Sequence, residues 1–250
     1  MKFTFPFVLA GALLLVSTAP CAETPPPARV LVLNDSTDPP YTTEDGQGFL
    51  NAVANEAFRR CGVQLRLVKL PAERGLISAN EGREDGDLSR IAGLEALYPN
   101  LVRVPEKLIE WEFTAFSKQE GRAKSWEELR TRPIGYIRGW KIYEQKLIDA
   151  PFVVSSDDST QLFRQLQLGR IEVALYERWL GMSLLQHQNI KGVYPLDPPI
   201  AKREMFIYLH KRHAALVPKL AAALRAIKAE GLYDRLYREK VLSLAVTAKK

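Results

Sequence analysis

A pattern of nine residues occurs twice in the chain, at residues 82–90 and again at 169–177. The first copy reads Gly-Arg-Glu-Asp-Gly-Asp-Leu-Ser-Arg, and the second reads Gly-Arg-Ile-Glu-Val-Ala-Leu-Tyr-Glu. Each copy follows apolar residues at helical spacing and continues into a strand-like run, which predicts a helix that stops at glycine before a strand. The repeat therefore predicts two similar α/β lobes, although the same connection is ordinary in any α/β protein.

The two copies end in opposite charges, Arg90 in the first and Glu177 in the second. If the copies are equivalent strands of two lobes, these side chains occupy matching strand ends and face each other across a cleft. A small zwitterion would fit between them. The alternative for Arg90 is an ion pair with Asp87 or Glu95.

The rest of the chain also alternates between strand-like and helix-like segments. This order predicts an α/β protein with mostly parallel strands, whose ligands gather at the carboxyl ends of the strands. Strands are predicted at residues 29–34, 63–70, 111–117, 134–136, 152–154 and 205–209, and helices at 49–58, 216–230 and 232–242, with a further helix starting at the capping box of Ser125.

The first residues have the pattern of a secretory signal peptide. Lys2 provides the basic start, residues 3–16 are apolar, and a tail of small residues follows, so that residues 1–22 are predicted to be removed by cleavage after Ala22. The apolar run is too short for a stable membrane span. Cys21 raises a lipoprotein as the alternative, but the proline before it makes a poor lipidation motif.

Composition and motifs exclude several classes of function. The formal net charge is +6, but the basic residues are scattered among acids, which argues against nucleic acid as a partner. His210 and His213 are three residues apart without further ligands nearby, so neither a metal nor another cofactor is predicted. The chain contains no Gly-x-Ser-x-Gly and no His-Glu-x-x-His motif, and we therefore expect no enzyme.

Five short motifs, in order, resemble one known family. The motifs are Pro39-Pro-Tyr41 followed by Gly46-Gln-Gly48, Asp85-Gly86, Ser125-Trp-Glu-Glu-Leu129, Gly169-Arg-Ile-Glu-Val-Ala-Leu175 and Ile227-Lys-Ala-Glu-Gly-Leu-Tyr233. Through them the chain resembles, over nearly all of its mature length, the periplasmic solute-binding proteins of the bacterial extracellular type 3 family, the amino-acid-binding components of ABC transporters.

This resemblance implies a two-lobe, periplasmic-binding-protein-like fold of type II with two crossover hinge strands. Both ends of the chain would build lobe 1, from residues 23–114 and 206–250, and residues 115–205 would form lobe 2. Solute would bind between the lobes, which close over it.

The resemblance also implies ligand-binding residues. By position, Tyr41 would cover the ligand and Glu177 would hold its ammonium group, with Trp140 beside them in a loop of lobe 2. The family's arginine clamp for the ligand carboxylate is missing from residues 91–98, and Arg90 is its expected substitute.

Alternative interpretations remain for the other three residues. Tyr41 and Trp140 could be core aromatics, and Glu177 could pair with Arg178 or Arg138.

The function expected from the resemblance is periplasmic capture of a small polar, amino-acid-like metabolite for ABC-type uptake. The protein would be a monomer that delivers this solute to an inner-membrane ABC permease. The alternative is a non-transport module of the same fold with a degenerate cleft, which signals to a membrane sensor.

Overall fold

The computed structural model describes Met1 and residues 29–122 and 125–243. Apart from Met1, the predicted signal peptide lies outside the described residues. Within these ranges no helix is both long enough and apolar enough to cross a bilayer.

Ten strands and eight α-helices make up the described part of the chain. The strands are β1 Arg29–Asp35, β2 Val63–Lys69, β3 Gly86–Ile91, β4 Leu101–Arg103, β5 Ile109–Ser117, β6 Ile134–Ile137, β7 Val153–Ser156, β8 Val173–Glu177, β9 Tyr194–Pro195 and β10 Ala201–His210. The helices are α1 Phe49–Arg60, α2 Ala72–Asn80, α3 Trp126–Leu129, α4 Lys141–Lys146, α5 Ser159–Gln167, α6 Arg178–His187, α7 Val217–Ala229 and α8 Leu232–Tyr237. The predicted last helix is shorter than expected, because a π-helical segment, Arg238–Leu242, continues it and buries Val241.

The strands form one path in the order β2-β1-β3-β10-β5-β8-β6-β7, with β4 beside β10 and β9 beside β5. At one end β1 is parallel to β2 and β3, and at the other end β6 is parallel to β7 and β8. In the middle β10 and β5 are antiparallel to each other and to their outer neighbours. The prediction of a mostly parallel sheet is therefore wrong at the centre, because the chain crosses in one direction along β5 and returns along β10.

This topology confirms the two-lobe α/β fold with two crossover strands. We call the part around β1, β2 and β3 the first lobe and the part around β6, β7 and β8 the second lobe. The predicted lobe boundaries, at 114/115 and 205/206, fall inside the crossover strands β5 and β10. They remain a prediction.

The repeated pattern occupies equivalent places in the two lobes. Gly82, after α2, has φ +77°, and Gly169, after α5, has φ +70°. A glycine in this left-handed conformation ends a helix without a Cβ clash. The strands that follow, β3 and β8, each run parallel to the first strand of their own lobe. The helix–glycine–strand unit predicted from the sequence thus forms twice.

Helix α1 shows how the first lobe is held together. Phe49, Leu50, Val53 and Phe58 recur at helical spacing and are fully buried. They pack among β2, α7 and α8 in the larger of the two hydrophobic clusters of the described residues. Burial of each such side chain contributes about 1.5–3 kcal/mol to the stability of the fold. This burial holds α1 in place behind the loop that carries Tyr41.

Candidate functional site

Two of the four predicted site residues, Tyr41 and Trp140, contact the same side chain of the crossover strand β5, that of Trp111. The Tyr41 ring stacks on Trp111 with 6.0 Å between ring centroids, and Trp140 lies 5.2 Å from the same indole. Trp140 in turn stacks on Tyr176 at 4.8 Å. We call these four residues the aromatic cluster. It joins the first lobe, the crossover and the second lobe through side chains that are at least nine-tenths buried.

Glu177 lies against this cluster, fully buried where β8 ends and α6 begins. Its Oε1 accepts a hydrogen bond from the Tyr41 hydroxyl at 3.0 Å, and its Oε2 accepts one from the Leu180 backbone N–H at 2.9 Å. The carboxyl group is therefore the N-cap of α6. It pairs with neither Arg178 nor Arg138 in the described structure, since these cations pair with other acids, Glu112 and Asp197 for the first and Asp157 for the second.

Burial dominates the ionisation of Glu177. Removal from water raises the pKa of its carboxyl group to about 8, although hydrogen bonds from Leu180, Tyr41 and Glu112 act in the opposite direction. At neutral pH the group is therefore mostly neutral and is already occupied by the tyrosine hydroxyl. An ammonium group needs an ionised, accessible partner, which Glu177 does not offer in this arrangement.

Arg90 is also buried, and its guanidinium is held within the first lobe. Its Nε and Nη2 donate to the two oxygens of Asp87 at 2.7 and 2.8 Å, and Nη2 also donates to the Ala72 carbonyl. This is the ion pair that the sequence left open as the alternative. The role of Arg90 as a carboxylate clamp remains a prediction.

An open cavity of about 200 Å³ lies beside the aromatic cluster, between the two lobes. We call it the central cavity. It is bordered by residues that follow β1, β2, β6 and β7 and by the end of β8, as expected for the carboxyl ends of parallel strands. The residues that matter for its chemistry are Ser36, Asp38, Lys69, Trp140, Asp157, Asp158, Ser159 and Tyr176.

The chemistry of the central cavity favours a cation. Asp38, Asp157 and Asp158 border it, and the Trp140–Tyr176 stack forms an apolar aromatic wall. Lys69 is the opposing charge, but its ammonium lies 3.0 Å from buried Asp35 and 3.9 Å from Asp38. An amine or guanidinium would find carboxylates and aromatic faces here, the two partners that such groups prefer.

Several hydrogen bonds cross directly between the lobes at this cavity. Oδ2 of Asp38 accepts from the Ser159 hydroxyl at 2.8 Å and from the Tyr176 hydroxyl at 2.9 Å. Further along, the Lys141 ammonium lies 2.5 Å from Glu73. Together with the bond from Tyr41 to Glu177, these contacts hold the two lobes together around the site.

Gly139, in the predicted site loop before Trp140, permits a close approach of this loop to the backbone at Glu73 in the first lobe. Its φ is +86°, and a Cβ built there would lie 2.4 Å from the Glu73 backbone nitrogen. Both facts require glycine, because other residues rarely adopt this φ and no side chain fits the gap.

We expect Gly139→Ala to force the lobes apart, with a larger radius of gyration in small-angle X-ray scattering. Gly192→Ala is the matched control, since Gly192 has φ +71° with no atom within 4 Å of a built Cβ. Both variants carry the same left-handed strain, about 1–2 kcal/mol, but only Gly139→Ala adds a clash. Equal radii for the two variants would show that this contact does not limit lobe approach.

Sequence reasoning missed most of the central cavity. The sequence predicted no ligand contact for Asp38, Asp157, Asp158 or Ser159. A usable signal was present, because each follows the carboxyl end of a predicted strand, as Tyr41 does. The choice among such residues depends on which loops meet, and that is decided by the sheet order.

Comparison with known proteins shows which folds and sequences this chain is similar to. No family model matches the chain. An uncharacterized protein from Shewanella oneidensis is 27% identical over 195 residues, which are 73% of this chain and 72% of the relative.

Solved structures match at lower identity but with high coverage. Holo ArgBP from T. maritima matches with a TM-score of 0.68 and 20% identity, over 80% of this chain and 90% of that one. An amino acid ABC transporter substrate-binding protein from Streptococcus pneumoniae, bound to L-arginine, matches with a TM-score of 0.71 and 16% identity, over 84% and 94%. A histidine kinase sensor domain with similarity to periplasmic binding proteins matches with a TM-score of 0.74 and 17% identity, over 86% and 96%. These likenesses confirm the fold that the sequence motifs indicated.

Proposed function

We propose that this protein, which has the fold of the amino-acid-binding components of ABC transporters, is a periplasmic solute-binding protein. It takes a small, polar, cation-bearing solute into the central cavity between its lobes and presents it to an inner-membrane ABC permease. The likeness to known binding proteins supports the fold, and the acidic and aromatic residues that border the cavity support the solute class.

The central cavity is the observation that carries this proposal. Its walls come from both lobes, so a bound molecule would contact Asp38 on one side and Asp158 on the other. Such a ligand favours the arrangement in which the lobes meet, because it interacts with both walls only there. This is the physical basis of ligand-driven closure in two-lobe binding proteins.

A sensing module is the second candidate. The two positions expected to hold an α-amino acid, Arg90 and Glu177, are buried and bonded to other protein groups. A histidine kinase sensor domain has the same fold. In this role the cavity would report on a solute to a membrane partner without handing it to a permease.

A thermal-shift screen tests solute binding directly. Purified protein would be heated with amino acids, polyamines, guanidino compounds, small organic acids and short peptides. A ligand at about one hundred times its dissociation constant adds roughly 2.7 kcal/mol of stability, which gives a clear rise in melting temperature. We expect amines and guanidinium compounds to give the largest shifts.

Two matched variants test whether a stabilising compound binds in the central cavity. Asp158→Asn should reduce the shift, while the helix cap that Asp158 provides for α5 is kept, because asparagine caps equally well. Asp234→Asn, on the exposed surface of α8, is the control and should leave the shift unchanged. Stabilisation only by acids, or shifts that ignore Asp158→Asn, would contradict a cation site in the central cavity.

A further inference from the structure

The central cavity has a neighbouring cavity on each side. Pro71 and Asp157 border both this cavity and a second one of about 300 Å³. On the other side, Asp38 and Ser159 are shared with a third cavity of about 190 Å³. The three cavities therefore adjoin one another, and we call this row of cavities the seam groove.

The charge of the seam groove changes sign along its length. Three arginines, Arg74, Arg83 and Arg138, border the second cavity against two acids, Glu73 and Asp157, whereas three acids, Asp38, Asp157 and Asp158, border the central one against Lys69. We call the second cavity the arginine end.

Arg74 is the cation of the arginine end that other protein groups leave available. Arg83 pairs with Glu81, and Arg138 pairs with Asp157. Arg74 is exposed, and its side chain makes no hydrogen bond or ion pair within residues 29–122 and 125–243. Its guanidinium can therefore bind a carboxylate in the fork geometry that such groups prefer.

We propose that the ligand is a linear zwitterion whose cationic and anionic ends are at least one residue length apart, as in a short peptide, and that it lies along the seam groove. Its ammonium contacts Asp38 and Asp158 beside the Trp140–Tyr176 wall. Its carboxylate contacts Arg74. This inference rests on the proposed function and names the substrate class of the same site.

The placement of the charges in separate cavities favours a longer ligand over a free α-amino acid. In such a molecule the two charged groups sit on one carbon, whereas the acidic and arginine ends of the groove belong to separate cavities that share only a border. Each added peptide unit extends a chain by about 3.3–3.6 Å, so two or three residues reach further along the groove. The protein would thus discriminate by the distance between charges.

Isothermal titration calorimetry tests this inference with compounds that differ in which ends are charged and in how far apart the charges are. The probes are glycine, triglycine, triglycinamide, N-acetyl-triglycine and 6-aminohexanoate. We expect triglycine to bind at least tenfold more tightly than glycine, triglycinamide and N-acetyl-triglycine. 6-Aminohexanoate, which has separated charges without peptide groups, shows how much of the affinity the peptide units supply.

Two variants test which side chain binds the carboxylate of the ligand and which binds its ammonium group. Arg74→Gln should weaken triglycine by roughly tenfold or more and leave triglycinamide unchanged, because only the first carries a carboxylate. Asp158→Asn should weaken triglycine and leave N-acetyl-triglycine unchanged. Arg164→Gln, on the exposed face of α5, is the matched arginine control and should change nothing.

The outcomes separate this inference from the proposed function. The inference is overturned if glycine binds as tightly as triglycine, or if Arg74→Gln affects triglycine and triglycinamide alike. If another solute from the thermal-shift panel binds in the central cavity while all linear zwitterions fail, the inference is wrong and the solute-binding function stands. If no compound binds to the folded protein, both are wrong.

Discussion

The free energy of unfolding should fall as the pH rises from about 4.5 to about 8, and Glu177→Gln should remove that dependence. In the folded protein, burial raises the pKa of this carboxyl group to about 8 from an ordinary value of 4.5. Between these two pH values the native state holds a proton that the unfolded chain has released. Stability therefore decreases with rising pH across this window and levels off above it.

The size of the fall in the free energy of unfolding follows from the shift in the pKa of Glu177. Each pKa unit corresponds to 1.36 kcal/mol, so the fall from pH 4.5 to pH 8 is on the order of 4–5 kcal/mol as an upper bound. Full stability from this group is present below pH 4.5. Glutamine keeps one oxygen, which can accept from the Leu180 N–H, and presents an NH2 group in place of the other oxygen. It does not titrate, so the stability of the variant should be nearly flat over the same range.

Urea denaturation at half-unit pH steps measures this directly. The difference between wild type and Glu177→Gln removes the contributions of other groups, such as His210, whose pKa burial lowers. Glu44→Gln, at an exposed position, is the matched control and should keep the wild-type slope. Parallel curves for wild type and Glu177→Gln would show that Glu177 is ionised in the native protein.

Tyr41→Phe gives a second test of the same pair. The Tyr41 hydroxyl donates to the Glu177 carboxyl group, and this bond lowers the pKa that burial has raised. Without it the pKa of Glu177 should rise further, so the fall in stability should extend to higher pH. A downward shift would mean that water enters the pair when the hydroxyl is lost.

Much of the architecture could be predicted from local patterns. The glycine stops at Gly82 and Gly169 and the strands behind them follow from residue type and spacing alone, because both act within a few residues of chain. The same holds for the capping box of Ser125, which forms as expected with Glu128. The placement of Tyr41, Trp140 and Glu177 at strand ends or loops was correct for the same reason.

The environment of these residues could not be predicted, because it depends on the crossover strands. In the sheet, Phe113 of β5 pairs with Glu177 of β8, two residues that are far apart in sequence. This pairing brings Trp111 over the site and excludes water from the carboxyl group. The burial of Glu177 therefore depends on long-range strand pairing that leaves no local pattern.

Breaking the ion pair between Arg90 and Asp87 should cause a second large change in the free energy of unfolding. Both side chains are almost fully buried, and Asp87 has Asn34 as its other hydrogen-bond donor. Arg90→Ala would leave a buried carboxylate without its cation. Breaking a buried pair by removing one partner costs about 3–5 kcal/mol, so we expect the free energy of unfolding to fall by that amount.

A double-mutant cycle with Asp87→Asn separates the pair from the packing of each side chain. Asp87→Asn combined with Arg90→Met removes both charges and keeps much of the volume, so it should recover a large part of the stability lost in Arg90→Ala. Urea denaturation at fixed pH measures wild type, Asp87→Asn, Arg90→Met and the double variant, which close the cycle, together with Arg90→Ala. If the double variant is as unstable as Arg90→Ala, the loss comes from packing and not from the unpaired charge.

The same variants decide whether Arg90 also binds ligand. A direct contact to a ligand carboxylate would make affinity fall by roughly tenfold to a hundredfold in the double variant, even where stability has recovered. Because both guanidinium nitrogens that bond Asp87 face into the first lobe, we expect the recovered variant to bind its solute as wild type does. Titration of the same solute into both proteins makes the comparison, and a tenfold loss in the recovered variant would restore Arg90 to the ligand site.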